Sequence, residues 1–256
     1  MADWNPELYG RFESERTRPA RDLLAAVPLA EAASIVDLGC GPGNSTELLQ
    51  HRYPGAAILG VDTSPAMLEE AGRRLPGASF EQGDIQSWQA RRPADLIFAN
   101  ASLQWVPEHE ALLPRLLAML APGGVLAFQV PDNRDEPTHR LMRETTDEPR
   151  FAGRIGKEVR ARLRILAPPA YYDLIAPRAK AVDIWRTVYH HRMADAGAIL
   201  DWVSATGLRP YLEPLDEQDR DAFRAAYRQR LEEAYPTRAD GCRLMAFPRL
   251  FVIATI

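Results

Sequence analysis

The sequence predicts an α/β fold: a doubly wound, seven-stranded, mostly parallel sheet with a helical insertion after its fifth strand. Three observations carry that expectation. Short apolar runs alternate with amphipathic stretches of helical length from residue 34 to residue 130, the rhythm of right-handed β-α-β crossovers. The first run ends in Asp37-Leu-Gly39-Cys-Gly41-Pro-Gly43-Asn44, a glycine-rich turn that opens a helix. Two more strand-like runs, 183–191 and 249–255, follow the point where the rhythm stops.

The elements follow in order. Thr17-Arg18-Pro19-Ala20 reads as a helix start with Pro19 near the first helical position, and the helix runs to about Val27. Arg16 and Arg18 then crowd the positive end of a helix dipole, which marks either a site for an anionic partner or two solvated arginines. Strand one is placed at 34–38, and a helix over 45–52 is opened by Asn44-Ser-Thr-Glu47 as a capping box. Strand two is Ala57–Asp62, and Ser64-Pro65 caps a helix over 65–74. Strand three spans 78–82 and strand four Asp95–Asn100. A helix over about 107–121 then shows Leu112, Leu113, Leu116, Leu117 and Leu120 on one face. Strand five is Val125–Val130. The polar, arginine-rich stretch 132–181 reads as a helical insertion covering the substrate site, and 1–30 as a helical lid segment, both within a single 1–256 domain. Strand six at 183–191, helices at 195–205 and 216–235, and a last strand at 249–255 complete the chain.

The glycine turn is where the chemistry is legible. A pyrophosphate-binding turn needs its third glycine one place later; here Asn44 holds that place. Asp37, just before the turn, would repel a pyrophosphate but suits a ligand that carries an ammonium group. Asp62 ends strand two about 20 residues beyond the turn, where an acid can accept two ribose hydroxyls; a surface cap is the alternative. Strand four runs into Asn100-Ala-Ser-Leu-Gln104-Trp105, at the carboxyl end of a central strand, where the ligand crevice of such sheets lies.

Composition excludes several classes. With 31 basic against 35 acidic residues and a net charge of −4, nothing supports a general nucleic-acid or membrane-surface binder. Only two of the basic residues are lysines, Lys157 and Lys180, so the mere presence of an arginine says little. Cys40 and Cys242 form neither a disulfide framework nor a metal site. The apolar stretch near 116–130 is broken by Pro122-Gly123-Gly124 and is too short for a bilayer. The start of the chain lacks the pattern of a signal peptide, so a cytoplasmic protein is expected.

The spacing Asp-x-Gly-x-Gly-x-Gly over 37–43 resembles the first motif of class I S-adenosylmethionine-dependent methyltransferases. Three further stretches, Phe12–Leu24, Asn100–Pro107 and Asp183–Tyr189, make the whole chain similar to the trans-aconitate 2-methyltransferase family. Strand six departs from the family pattern by reading Tyr189-His190-His191 where a second tyrosine is expected. The resemblance implies a sheet closed by a late antiparallel strand and S-adenosyl-L-methionine as cofactor, with S-adenosyl-L-homocysteine as product. It implies cofactor contacts from Asp37 (ammonium end), Gly39, Gly41, Gly43, Asn44, Asp62, Thr63, Met67, Asp84 and Ile85 (adenine), and Asn100. The implied substrate is a small polycarboxylate, converted to a monomethyl ester. Arg16 and Arg18 are its expected anchors, with Gln104, Trp105, Tyr9, Tyr171, Tyr172 and His190 as further lining. No catalytic base and no metal are expected, because a carboxylate is already ionised at pH 7. Neither nucleic acid, membrane nor obligate protein partner is expected. The alternatives are a malonyl carrier-protein methyl ester synthase, similar in the glycine motif and partly near Gln104-Trp105, and a non-catalytic S-adenosylmethionine-binding module.

Overall fold

The computed structural model describes residues 13–156, 159, 165–204 and 207–256. Its seven strands are β1 (Ser34–Leu38), β2 (Ala57–Asp62), β3 (Ser79–Gln82), β4 (Ala94–Asn100), β5 (Leu120–Pro131), β6 (Ala181–Met193) and β7 (Arg243–Thr255). They form one sheet in the order β3-β2-β1-β4-β5-β7-β6. The first five run parallel, and β7 lies antiparallel between β5 and β6. The strand order reverses between β1 and β4, so their carboxyl ends border the crevice where such sheets bind ligands.

Nine helices accompany the sheet among the described residues: α1 (Glu13–Ala26), α2 (Asn44–Arg52), α3 (Pro65–Arg74), α4 (His109–Ala118), α5 (Pro137–Thr145), α6 (Pro168–Ile175), α7 (Ala196–Ser204), the single turn α8 (Arg209–Leu212) and α9 (Glu217–Ala234). Leu23 and Leu24 of α1 and Leu49 of α2 bury against Phe98, Val125, Tyr189 and Phe251 on one face of the sheet. On the other face, Leu113 and Leu116 of α4 and Tyr171 of α6 pack on Ile97, Leu126 and Phe128. Each such large apolar side chain, taken fully out of water, contributes about 1.5–3 kcal/mol.

Five expectations need correction. Pro19 lies inside α1, which already spans Glu13, so Pro19 does not open the helix, and Arg18 stands beyond its first described turn, where the dipole argument for it fails. The cap of α2 is Gly43 in left-handed conformation (φ 92°), not Asn44, and no side chain caps that end. Glu47 does not reach back to the cap; it pairs with Arg74 at 2.8 Å. The last three strands run longer than predicted. Strand five takes in Pro122-Gly123-Gly124 through a register shift against β4, and β6 pairs with β7 from Ala181 to Met193. Finally, 132–181 does not pack as one unit. Residues 137–156 join α7 and α9 around Met142, Phe151, Trp202, Phe223 and Tyr227 in a second core that also takes in Met193, Met245 and Phe247 of β6 and β7, whereas α6 packs back on α4. At the amino-terminal side, α1 is seated in the core through Ala20, Leu23 and Leu24.

Candidate active site

The turn between β1 and α2 is locked to β2. The Gly39 and Cys40 N–H groups both donate to the Val61 carbonyl, at 2.7 and 3.1 Å. Gly39, Gly41 and Gly43 all have positive φ (71°, 53° and 92°). Two of them serve different ends. A Cβ on Gly39 would fall 2.3 Å from the Ser102 Cβ, so this glycine lets the turn after β4 close on the turn after β1. A Cβ on Gly41 would meet nothing within 4 Å, so its backbone faces open space.

Asp37 lies beneath this turn and is fully buried. Its Oδ2 accepts from the Ser45 and Thr46 hydroxyls, each at 2.7 Å. Its Oδ1 is buried with no hydrogen-bond partner among the described residues. Burial pushes the carboxyl up to about 6, with the two hydroxyls opposing and the Asp62 charge adding to the rise. A buried carboxylate oxygen with no donor is costly unless a ligand supplies one, and a cation would supply most.

At the end of β2, Asp62 Oδ2 accepts from the Gly41 N–H at 3.0 Å and Oδ1 from the Ser64 N–H at 2.9 Å. Each oxygen keeps a further lone pair for a diol. Thr63 beside it is exposed, and Met67 is buried on α3 with its N–H donating to Ser64 Oγ, the cap of that helix. Past β3, Asp84 is exposed and accepts from the Gln86 N–H at 2.8 Å. Ile85 is buried next to Gly39. The Arg115 guanidinium on α4 donates to the carbonyls of Ile85 (2.5 Å) and Trp88, so this loop is stapled from behind.

The turn after β4 closes the crevice. Ala101 has φ 54°, an uncommon conformation for a residue with a Cβ. Ser102 Oγ donates to the Leu38 carbonyl at 2.6 Å. Gln104 is held by Nε2 donating to the Ala101 carbonyl at 2.6 Å, which leaves its buried Oε1 without a partner among the described residues. Trp105 stays 43% exposed, unusual for a residue of its size. Asn100 Oδ1 accepts from Gln129 Nε2 at 2.5 Å, and Gln129 Oε1 accepts from Arg249 Nη1 at 3.3 Å, so a polar chain runs across β4, β5 and β7 at this edge.

Next to that chain, α1 meets β6. The Tyr189 hydroxyl donates to Asp22 Oδ2 at 2.5 Å, and the Arg18 guanidinium lies 5.2 Å from the centre of the Tyr189 ring. Arg249 is buried, and its guanidinium lies 4.8 Å from the centre of the Phe247 ring. Burial brings the His191 ring down to about 4, and the nearby Arg249 and Arg18 charges act in the same direction.

The structure thus gathers Asp37, Gly39, Gly41, Gly43, Asn44, Asp62 and Ile85 around one crevice, with Gln104 and Trp105 on its rim and Arg18 farther along the sheet edge. Tyr171 is placed otherwise. It is fully buried behind the sheet, its hydroxyl 2.7 Å from His109 Nδ1, so it is a core residue and not a lining one. Tyr172 is 53% exposed, and strand alternation sets exposed His190 on the face opposite Tyr189. Tyr9 and the Arg16 side chain lie outside the described residues. Sequence reasoning missed Gln129 and Arg249, although a lone polar side chain in each of two apolar strands was a readable signal. It also missed Ser102, His109 and Arg115, whose partners depend on the tertiary fold. Among the described residues no cluster of His, Cys, Asp or Glu could hold a metal, and no helix is long and apolar enough to cross a membrane.

These parts, a glycine turn over a buried acid with one oxygen lacking a partner among the described residues and a second acid closing β2 in a sheet with one late antiparallel strand, define a class I S-adenosylmethionine-dependent methyltransferase. A methyltransferase-domain family matches residues 35–124. The solved YcgJ protein from Bacillus subtilis shares the fold, with a TM-score of 0.60 at 12% identity over 94% of this chain and 98% of that one. Full-length relatives narrow the class. The trans-aconitate 2-methyltransferases of Paracidovorax citrulli and Methylobacterium radiotolerans are 59% and 60% identical over 99% of this chain and 98% of theirs. The chain belongs to the trans-aconitate 2-methyltransferase family.

Proposed function

We propose that this chain transfers a methyl group from S-adenosylmethionine to one carboxylate of trans-aconitate or a closely similar small polycarboxylate, releasing a monomethyl ester and S-adenosylhomocysteine. The observation that carries the cofactor half is the buried Asp37 Oδ1, which has no hydrogen-bond partner among the described residues, at the base of a turn whose Gly41 opens on free space. The substrate half is supported by the full-length likeness to enzymes named for that acid, together with the cationic Arg18 at the sheet edge.

The roles follow from the chemistry. Asp37 takes the ammonium end, Asp62 the ribose diol, the Gly41 backbone the open approach, and Asp84 with Ile85 the adenine. The cofactor supplies a methyl on a sulfonium, and displacement by a carboxylate oxygen leaves a neutral sulfide. The attacking oxygen is already ionised at neutral pH, so no base is needed. What the protein supplies is alignment, which can contribute roughly 7–11 kcal/mol when reactants are well oriented. Arg18 suits the acid because a guanidinium binds a carboxylate through two parallel N–H groups. Gln104 and Trp105 face the reacting atoms, and the indole face adds cation–π attraction of about 0.5–2 kcal/mol to a sulfonium nearby. The reaction takes place in the cytoplasm and needs no protein or nucleic-acid partner.

Mass spectrometry of products from purified protein, S-adenosylmethionine and trans-aconitate tests this. A monomethyl ester formed at a rate that saturates with the acid is the expected result. No ester from a protein that still binds the cofactor would move the substrate to a malonyl carrier protein.

A further inference from the structure

A buried polar chain lies outside the methyl-transfer machinery. His109, the first residue of α4, is 3% exposed, and Tyr171 of α6 is fully buried. His109 Nε2 lies 2.8 Å from the Leu103 carbonyl and Nδ1 lies 2.7 Å from the Tyr171 hydroxyl. A carbonyl can only accept, so Nε2 carries the proton, and in the neutral ring Nδ1 accepts from the Tyr171 O–H. The Tyr171 oxygen in turn accepts from the Leu166 N–H at 3.4 Å. Every member is satisfied, and the chain runs in one direction.

Packing alone does not require it. The Tyr171 ring meets Phe128 edge-on at 5.4 Å, and an apolar pair would fill the same space without desolvating an imidazole and a phenol. What the polar pair adds is direction, applied to Leu103. That residue begins the turn that presents Gln104 and Trp105. Ser102 and the Gln104 amide tie the early part of the turn to Leu38 and Ala101. Among the described residues, His109 is the one side chain that holds the Leu103 carbonyl.

We propose that His109 and Tyr171 form a positioning latch, which ties α6 to the Leu103–Trp105 turn and sets how Gln104 and Trp105 meet the reacting groups. The proposal rests on the methyl-transfer reading above. Neither side chain is a catalytic residue; both act through the turn.

The test uses the full chain with Tyr171→Phe, His109→Leu and His109→Gln. Tyr171→Phe keeps the ring and so guards against simple unfolding. Glutamine can return an N–H to the Leu103 carbonyl and serves as the conservative variant. Three readouts are taken: S-adenosylhomocysteine affinity by calorimetry, kcat and KM with trans-aconitate, and amide hydrogen exchange of residues 101–106. Affinity for the product should stay within about twofold, while exchange in 101–106 speeds up and kcat falls by about tenfold, the scale of one neutral hydrogen bond. His109→Gln should recover much of what His109→Leu loses. Unchanged exchange in Tyr171→Phe would overturn the latch, and so would faster exchange with kcat intact. If the unmodified protein binds S-adenosylhomocysteine but makes no ester from trans-aconitate, the substrate assignment fails instead. The exchange arm then decides the latch alone: acceleration upholds it and no change refutes it.

Discussion

Asp37 gives the sharpest prediction, because its effects on stability and on binding have opposite signs. In the ligand-free protein burial holds its carboxyl near 6, above the ordinary 3.8. The ionised form is therefore the strained one. Its cost is present above pH 6, about 3 kcal/mol at roughly 1.4 kcal/mol per unit, and it is relieved as pH falls towards 4. Only the ionised form can pair with a ligand ammonium, however. Between pH 7 and pH 5 the ionised fraction drops to about a tenth, so the Kd for S-adenosylhomocysteine should rise about tenfold, or about 1.4 kcal/mol. The product is the right probe because its sulfur is neutral, which leaves the amino group as its only cation. The assay is calorimetric titration at half-unit steps from pH 7.5 to 5. Asp37→Asn should bind weakly with little pH dependence, yet raise Tm at pH 7.5. A flat Kd for the unmodified protein, or an equal slope in Asp37→Asn, would refute the assignment of Asp37 to the ammonium.

Four further outcomes are expected. Gly39→Ala forces a Cβ onto Ser102 at positive φ; the strain and overpacking should cost about 2–4 kcal/mol and lower Tm by several degrees. Gly41→Ala has room for its Cβ, so it should cost about 1–2 kcal/mol and show itself mainly as weaker S-adenosylhomocysteine binding in a titration. Arg115→Met keeps the aliphatic stem but frees the Ile85 and Trp88 carbonyls, and the KM for S-adenosylmethionine should rise severalfold while KM for the acid holds. Arg18→Gln should do the reverse, raising KM for trans-aconitate about tenfold with S-adenosylhomocysteine affinity unchanged, since a charged hydrogen bond to a carboxylate is worth about 1.5–3 kcal/mol.

The two halves of the site differ in how far the sequence exposes them, and the reason is topological. Asp37, the three glycines and Asp62 sit on one β-α-β unit, where a strand end and the next turn fix each other within a few residues. Register alone then sets both acids at the carboxyl edge. Even there the capping box misled, because Gly43 could take a left-handed conformation that Asn44 did not need to match. The sheet edge that carries the proposed acid anchor has no such local grammar. Tyr189 reaches Asp22 across 167 residues, and Gln129 meets Arg249 across 120, only because β7 is inserted antiparallel beside β5. Tyr171 shows the same limit from the other side: an aromatic pair in a polar stretch reads as site lining, yet the fold turns one ring into the core and leaves the other exposed. A cofactor cradle built from local backbone can therefore persist while its neighbours change. The proposed acid anchor, Arg18, instead depends on where the late strands and α1 meet, so substitutions at the polar pairs around that seam should alter the KM for the acid before they alter the hold on the cofactor.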